Sequence, residues 1–304
     1  DTYPPMNVVS TSPSGTEILY ALGVEPVAVS HACDYPPEVE GTPRIDASRV
    51  GEGSSADRHA QVEATGGHVY DVDAERLRAA EPDLIVTQEV CGVCAVDTTV
   101  VDEVLAGLDA DPEVIGLNAR RLDDVLSCVR RVGEATGREA RADELVSDLR
   151  ARLDAVRARA AGAEAPRVAV IEWMDPIHVA ANWVPELVDL AGGEYGLVGP
   201  GERSAETDWA EIVEYAPEVV VVAPCSYPTE RTAERIDELA GREGWGGLPA
   251  VREGEVYAMD GSSYLSRWTP RLVDAAERLA AVIHPERFGE PAADVARLPT
   301  RPTA

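Results

Sequence analysis

Residues 73–86 read DAERLRAAEPDLIV, and residues 208–221 read DWAEIVEYAPEVVV. The two stretches align without gaps. In each one a short helical segment stops before a proline and an uninterrupted apolar run follows, as expected of a strand that is buried on both faces. This internal repeat predicts two similar lobes within one chain.

The first lobe opens on a strand–helix–strand pattern. The apolar run at 7–10 is followed by TSPSG at 11–15, by a helical run over 16–22 that ends at Gly23, and by a second apolar run over 27–30. Serine and threonine supply helix-capping oxygens, and glycine ends a helix. This order predicts a parallel sheet, in which ligands bind beyond the carboxyl ends of the strands.

A long helix is predicted between the two lobes. Residues 138–161 contain no glycine or proline, and the apolar residues Leu145, Val146, Leu149, Leu153 and Val156 recur at helical spacing. About 24 residues would span roughly 36 Å as a rigid connector. We therefore predict an α/β protein of two Rossmann-like lobes with parallel sheets, joined by one long backbone helix. The predicted boundaries are 1–137 for the N-terminal lobe, 138–163 for the interlobe helix, 164–289 for the C-terminal lobe and 290–304 for a flexible tail.

The composition fits a globular protein. The chain has 304 residues, of which 45% are hydrophobic, enough for two domains with their own cores. No run approaches the roughly 18 apolar residues of a membrane-spanning helix. The first residues lack the basic-then-apolar pattern of a signal peptide, so the sequence is that of a mature chain or of one that never carried a signal.

The charge balance restricts the partners. Acidic residues number 55 and basic residues 27, all of them arginine, for a formal net charge of -28. Such a surface repels phosphate backbones and anionic lipid, which argues against nucleic acid and direct membrane adsorption. Self-repulsion is tolerated where salt screens it, since the Debye length is about 3 Å at 1 M salt. The composition therefore predicts a halophilic protein.

Six segments follow one another along the chain: VVSTSPSGTEILYALGV, CDYPPEV, AERLRAAEPDLIVTQ, WVPELVDLAGG, PEVVVVAP and VREGEVYAMDG. Their order and spacing, around the long central helix, resemble the landmarks of the helical-backbone (class III) substrate-binding proteins of ABC importers. The closest branch is the one that binds vitamin B12, in a haloarchaeal form. The likeness extends from about residue 8 to about residue 284.

The resemblance implies a protein without catalytic activity that holds a corrinoid, such as cobalamin, in the cleft between its lobes. A monomer of this kind works outside the cytoplasm at the cell surface and delivers its ligand to a membrane permease and the associated ATPase; a cytoplasmic location is the alternative. No G-x-G-x-x-G, Walker, H-E-x-x-H or G-x-S-x-G motif argues for an enzyme. Alternative ligands are heme, an iron siderophore, or a metal held by cysteines.

Individual residues carry over from the family by motif. The tyrosine of the DYPP loop, which lines the corrinoid pocket in vitamin B12 binders, is Tyr35 here. The glutamate seven residues before the proline of the first repeat, which pairs with an arginine of the permease, is Glu75. The same position in the second repeat holds Ala210, so the adjacent Glu211 becomes the docking candidate. His178 replaces an aromatic residue that the family places in the second lobe.

Aromatic and polar residues near the predicted strand ends are candidates for ligand binding. Large aromatic side chains can form flat walls for a macrocycle, and core packing is the alternative for each of them. His31 and His178 are candidate axial ligands for cobalt or iron, or ordinary loop histidines. The complete predicted set is Ser12, Ser14, Tyr35, Trp173, His178, Tyr227, Tyr264 and Trp268.

Four cysteines follow predicted strands and are expected to converge on the cleft: Cys33, Cys91, Cys94 and Cys225. Four thiolates suit a tetrahedral zinc ion or an iron–sulfur cluster, while disulfides, inert thiols and direct ligand contact are the alternatives. A thioredoxin-like redox pair is the weaker interpretation of the two middle cysteines, because no clear helix begins there. Cys128 is expected to be a small core residue within a helix.

Overall fold

The computed structural model describes residues 6–89 and 112–299. The chain divides into two compact units. Unit 1 comprises residues 1–53, 57–119 and 123–148, and unit 2 comprises residues 54–56, 120–122 and 149–304. Within the described ranges, no helix combines the length and the apolar character needed to cross a bilayer.

Unit 1 is built on a four-stranded parallel sheet with the strand order β2-β1-β5-β6. A small antiparallel pair, β3 with β4, accompanies it. A short 3₁₀ helix covers Pro37–Val39. The elements are β1 (Val8–Ser10), α1 (Pro13–Ala21), β2 (Ala28–Val29), β3 (Asp46–Ser48), α2 (Ser55–Ala64), β4 (Tyr70–Val72), α3 (Ala74–Ala79), β5 (Leu84–Gln88), β6 (Glu113–Leu117) and α4 (Leu122–Ala135).

The predicted strand–helix–strand opening is present in unit 1. The central strands β1 and β5 are buried along their whole length, which agrees with the apolar residues that begin each of them. Helix α1 begins where the Ser12 hydroxyl accepts a hydrogen bond from the Gly15 N–H at 3.1 Å, and Pro13 occupies the first turn. The side chains of Val9, Leu77 and Ile85 pack into one apolar cluster of this unit. The helix cap and this packing together hold the edge of the sheet where the strands have their carboxyl ends.

The long predicted helix is α5, Glu139–Ala160, and it continues from unit 1 into unit 2. Its 22 residues span about 33 Å at 1.5 Å per residue. Glycine at 162, with φ of 72°, follows its end. The buried residues recur every three or four positions on one face and are Ala142, Val146, Leu149, Leu153, Val156 and Ala160.

Unit 2 contains a five-stranded sheet with the order β11-β10-β9-β7-β8. The three inner strands are parallel, but both edge strands run antiparallel to their neighbours, which the prediction of a parallel sheet did not include. The remaining elements of the chain are β7 (Val168–Met174), β8 (Ile177–Val179), α6 (Val184–Leu190), α7 (Trp209–Tyr215), β9 (Val219–Val222), α8 (Thr229–Glu234), α9 (Asp237–Ala240), α10 (Pro249–Glu253), β10 (Val256–Ala258), α11 (Leu272–Ile283), α12 (Pro285–Phe288) and β11 (Ala296–Arg297).

The antiparallel strand β8 follows from the length of its connection. Only Asp175 and Pro176 separate β7 from β8, and so short a link permits a hairpin but no parallel crossover. A second local constraint lies beyond β10 at Gly261. A Cβ atom there would collide with the carbonyl oxygens of Ala223 and Pro224, so a side chain is excluded where these two segments meet.

The end of the chain differs from the predicted flexible tail. Residues 290–299 are ordered against unit 2, where β11 pairs with β10 and the side chains of Val295 and Leu298 are buried. The Asp294 carboxylate accepts hydrogen bonds from the Tyr264 hydroxyl at 2.6 Å and from the Arg278 guanidinium at 2.7 Å. The tail was predicted to be flexible from its proline- and alanine-rich composition, which does not indicate these few anchoring residues. The last residues of the predicted tail, 300–304, lie outside the described ranges.

This anchor predicts a pH-dependent contribution to stability. Burial alone would raise the pKa of Asp294, but the hydrogen bonds from Arg278 and Tyr264 outweigh it and lower that pKa below its ordinary value. The stabilisation is present above about pH 4, the unfolded value, and is lost as the pH falls through the lower folded pKa. We expect Asp294→Asn to destabilise the protein by about 1 kcal/mol at pH 7, because the group is part-exposed.

Thermal unfolding measured between pH 7 and pH 3 tests this expectation, and the deficit of Asp294→Asn should shrink below about pH 4. Asp154→Asn is the matched control, since Asp154 forms an exposed ion pair with Arg157 at 2.7 Å. A deficit that stays constant over the whole pH range would contradict the role given to the Asp294 charge.

Candidate functional site

The carboxyl edge of the unit 1 sheet displays an exposed aromatic residue. Tyr35 follows β2 in the DYPP loop, and the residue is 42% exposed. In parallel sheets, ligands bind in the loops beyond the carboxyl ends of the strands, and Tyr35 lies in such a loop. Tyr35 is therefore placed where an apolar ligand can reach it.

The two serines predicted as ligand contacts lie at the same edge but are buried. Ser12 uses its hydroxyl to cap α1, and Ser14 lies in the first turn of that helix. A hydroxyl that holds a helix N-terminus is already engaged in the apo fold. The structure thus gives Ser12 a structural role.

A histidine–aspartate pair stands beside this edge. His31, two residues beyond β2, places its Nδ1 atom 2.6 Å from Oδ1 of Asp46, the first residue of β3. The same oxygen accepts the His31 backbone N–H at 2.7 Å and the Ser30 hydroxyl at 3.0 Å. The Asp46 side chain is fully buried, whereas that of His31 is 30% exposed. The ring also contacts Tyr70, with centroids 5.4 Å apart.

In unit 2 three of the predicted ligand residues come together. Trp173 on β7 and His178 on β8 are direct cross-strand partners, and both are half-buried. Directly opposed residues share one face of a sheet. The Tyr227 ring meets the Trp173 ring edge-on with centroids 5.7 Å apart, but Tyr227 is fully buried in the core of unit 2. Trp173 and His178 thus form the accessible part of this group.

Tyr264 and Trp268 are the two remaining predicted ligand residues of unit 2. The Tyr264 hydroxyl donates to Asp294, and the Arg278 guanidinium covers its ring at 4.0 Å. Burial and the bond to Asp294 raise the pKa of Tyr264 to about 12. Its proton is therefore retained at neutral pH, and the hydroxyl is engaged within the fold. Trp268 is buried.

The predicted cysteine cluster falls partly outside the described residues, because Cys91 and Cys94 are not among them. Cys33 belongs to unit 1, where it is buried beside Val29 and Val39 with its sulfur 3.1 Å from the Thr16 hydroxyl. Cys225 belongs to unit 2 and is half-buried. Among the described residues, no group of three or more histidine, cysteine or acidic side chains is arranged to hold a metal ion. The four-cysteine site stays a prediction.

The fifth cysteine lies where it was predicted. Cys128 is buried in helix α4, and its sulfur is 3.7 Å from the carbonyl oxygen of Asn118. Desolvation by burial raises the pKa of this thiol to about 11, so it stays protonated at neutral pH. Cys128 is thus a core residue.

The two docking candidates occupy similar positions in the two repeats. Helix α3 begins at Asp73, whose carboxylate accepts the Glu75 N–H at 3.0 Å, and α7 begins at Asp208, which accepts the Ala210 N–H at 2.9 Å. Glu75 and Glu211 both stand in the first turn of their helices and are exposed. Acidic side chains are favourable there because the helix dipole is positive at its N-terminus.

Asp46 is the residue of this site that the sequence did not reveal. It stands 15 residues after His31 in the stretch TPRIDASR, which carries no recognisable motif. The available signal was a lone aspartate directly after an apolar residue, and β3 itself is only three residues long. Its pairing with His31 depends on how β2 and β3 are brought together by the fold.

The fold is shared with solved structures. A periplasmic heme-binding protein, RhuT from Roseiflexus sp. RS-1, superposes with a TM-score of 0.69 at 23% identity over 92% of this chain and 98% of its own. The vitamin B12-binding protein BtuF of Vibrio cholerae gives a TM-score of 0.66 at 20% identity over 93% of this chain and 98% of its own. These likenesses establish the two-lobed α/β fold of class III periplasmic binding proteins.

Sequence comparison agrees with the fold. The ABC transporter substrate-binding lipoprotein YvrC of Bacillus subtilis is 26% identical over 94% of this chain and 82% of its own length. A vitamin B12-binding protein of Vibrio parahaemolyticus is 24% identical over 90% of this chain and 87% of its own. The sequence profile described as periplasmic binding protein matches residues 8–262. The chain therefore belongs to the periplasmic binding protein family.

Proposed function

We propose that this protein is the substrate-binding component of an ABC importer and that its ligand is a corrinoid of the cobalamin type. The observation that carries the proposal is the exposure of Tyr35, at 42%, beyond the carboxyl end of β2. An exposed flat ring in a loop beyond the carboxyl end of a strand offers a stacking surface to a large apolar macrocycle. The names of the vitamin B12-binding relatives support the same ligand class.

Heme is the competing ligand, because heme-binding proteins share this fold. Heme and corrinoid are both metal-centred tetrapyrroles, so stacking on an aromatic side chain suits either one. Trp173 and His178 are proposed as further contacts, since they lie on one face of the β7–β8 hairpin and are half-buried. Measuring the binding of heme and of cobalamin to the same protein sample distinguishes between these two ligands.

A test of the ligand concerns Tyr35. We expect Tyr35→Ala to weaken cobalamin binding about five- to thirtyfold, because the loss of one aromatic contact costs about 1–2 kcal/mol. Quenching of tryptophan fluorescence during titration with cobalamin gives the dissociation constant.

Val27→Ala provides the control for Tyr35→Ala. Val27 is also a large exposed apolar residue, at 36%, but it stands just before β2, at the opposite end of the same strand. If Tyr35→Ala and wild type bind cobalamin with equal affinity, Tyr35 is not part of the binding surface. If the wild-type protein binds heme and no cobalamin, the proposed ligand is heme and not a corrinoid.

For transport we propose that Glu75 and Glu211 contact arginines of a membrane permease. Both carboxylates are exposed in the first turns of α3 and α7, the two helices of the internal repeat. An exposed ion pair is worth at most about 1 kcal/mol, so one substitution would give a small effect. The two sites must be changed together.

We predict that Glu75→Ala combined with Glu211→Ala weakens the complex with the cognate permease about five- to thirtyfold at fixed salt, with ligand affinity unchanged. Surface plasmon resonance with the permease in nanodiscs measures this. The charge-matched control combines Glu63→Ala with Asp154→Ala, two carboxylates that are 72% and 71% exposed on other helices. If the control variant loses as much affinity for the permease, the effect is due to net charge and not to Glu75 and Glu211.

We further propose that the protein is halophilic and works outside the cytoplasm. Salt reduces the self-repulsion of a chain with a net charge of -28 and no lysine, which supports the halophilic character. We predict a rise in the thermal unfolding midpoint as sodium chloride increases from about 0.1 M to about 1 M, while the Debye length falls from about 10 to about 3 Å. Chloride is used because sulfate stabilises proteins by surface exclusion. A thermal unfolding midpoint that falls as sodium chloride increases would contradict the proposal that the protein is halophilic.

A further inference from the structure

Asp46 contacts both the backbone and the side chain of His31. Its Oδ1 atom accepts hydrogen bonds from the Ser30 hydroxyl and from the His31 backbone N–H, which anchor the loop after β2. The additional 2.6 Å contact to the His31 ring fixes the orientation of the imidazole as well. A side chain held in this way is prepared for a directional interaction.

The pair decides which ring nitrogen is available. A carboxylate only accepts hydrogen bonds, so the proton of the neutral imidazole must reside on Nδ1. The lone pair is then on Nε2, on a side chain that is 30% exposed, whereas its carboxylate partner is fully buried. In metal sites a carboxylate behind a histidine fixes the tautomer and raises the basicity of the coordinating nitrogen.

The second oxygen of the buried Asp46 carboxylate can stabilise a positive charge on the imidazole. Among the described residues, Asp46 Oδ2 is buried and has no hydrogen-bond partner. An unbalanced buried carboxylate oxygen is costly, and a positive charge developing on the neighbouring imidazole reduces that cost. Coordination of a metal by Nε2 produces such a charge shift on the ring.

The position of His31 fits a ligand at the sheet edge. His31 is two residues beyond β2 and four residues before Tyr35, so the imidazole and the exposed phenol belong to the same loop. Among the described residues, no group of three histidine, cysteine or acidic side chains is arranged around His31 to hold a metal ion. A metal that brings its own equatorial ligands needs only one donor from the protein.

We infer that His31 Nε2 is an axial ligand for the metal of a tetrapyrrole and that Asp46 is its positioning residue. The inference deepens the proposed function on which it rests: the substrate is a metallated macrocycle with an exchangeable axial position. Ferric heme and aquacobalamin both meet this description. Cyanocobalamin, in which cyanide holds the axial site, and metal-free protoporphyrin IX do not.

The test compares these four ligands on the whole protein. Ferric protoporphyrin IX or aquacobalamin should bind at least about tenfold more tightly than its counterpart without an open metal site, and His31→Ala should abolish that preference. For heme, reduction under argon and resonance Raman spectroscopy should show an iron–imidazole stretching band. For the corrinoid, displacement of the axial water should shift the visible spectrum.

The variants separate coordination from structure. The iron–imidazole band, or the spectral shift of aquacobalamin, should vanish in His31→Ala and His31→Gln, return when free imidazole is added, and persist in His68→Ala, which removes an exposed histidine near β4. Asp46→Asn should lower the iron–imidazole frequency and weaken binding about tenfold to a hundredfold. Circular dichroism confirms that each variant is folded.

Distinct outcomes overturn the two claims. If wild type binds tetrapyrroles with or without an open metal site equally well, or if the band survives in both His31 variants, His31 is not the ligand and the proposed function stands. If none of the four tetrapyrroles binds to wild type, the proposed function fails and the inference fails with it.

Discussion

Parallel pairing of strands that are buried on both faces is the constraint on which the structure of each unit depends. β1 with β5 in unit 1 and β7 with β9 in unit 2 bring their backbone groups into register without exposing them to water. Parallel strands must all end at the same edge of their sheet. Residues that are distant in sequence are therefore assembled at one edge, and the buried strands consist mainly of apolar side chains.

Much of this architecture could be predicted from the sequence, because it is encoded in local patterns. Apolar runs after a proline located β5 and β9, and the periodicity of residues 138–161 located α5. The edge strands escaped prediction, since β8 and β11 have three and two residues and depend on a tight hairpin and on docking of the chain end. Patterns that short carry no periodicity.

The candidate site was harder to predict than the fold. Burial of Tyr227 and engagement of the Tyr264 hydroxyl by Asp294 depend on contacts between segments far apart in sequence. An aromatic residue after a strand looks the same in sequence whether it turns toward the core or toward solvent. Tyr35 is distinguished by its exposure, and His31 by a carboxylate that comes from a different strand. Composition and spacing report neither property.

The two antiparallel edge strands of unit 2 bear on how the protein behaves at high concentration. An open sheet edge presents unpaired N–H and C=O groups to which another chain can add a strand. On one side β11 covers β10, and Arg297 forms an ion pair with Glu255 and donates to the Gly254 carbonyl oxygen. On the other side β8 is only three residues long, and the Thr207 N–H donates to the Ile177 carbonyl oxygen at 2.8 Å. Short or partly covered edges of this kind discourage edge-to-edge aggregation.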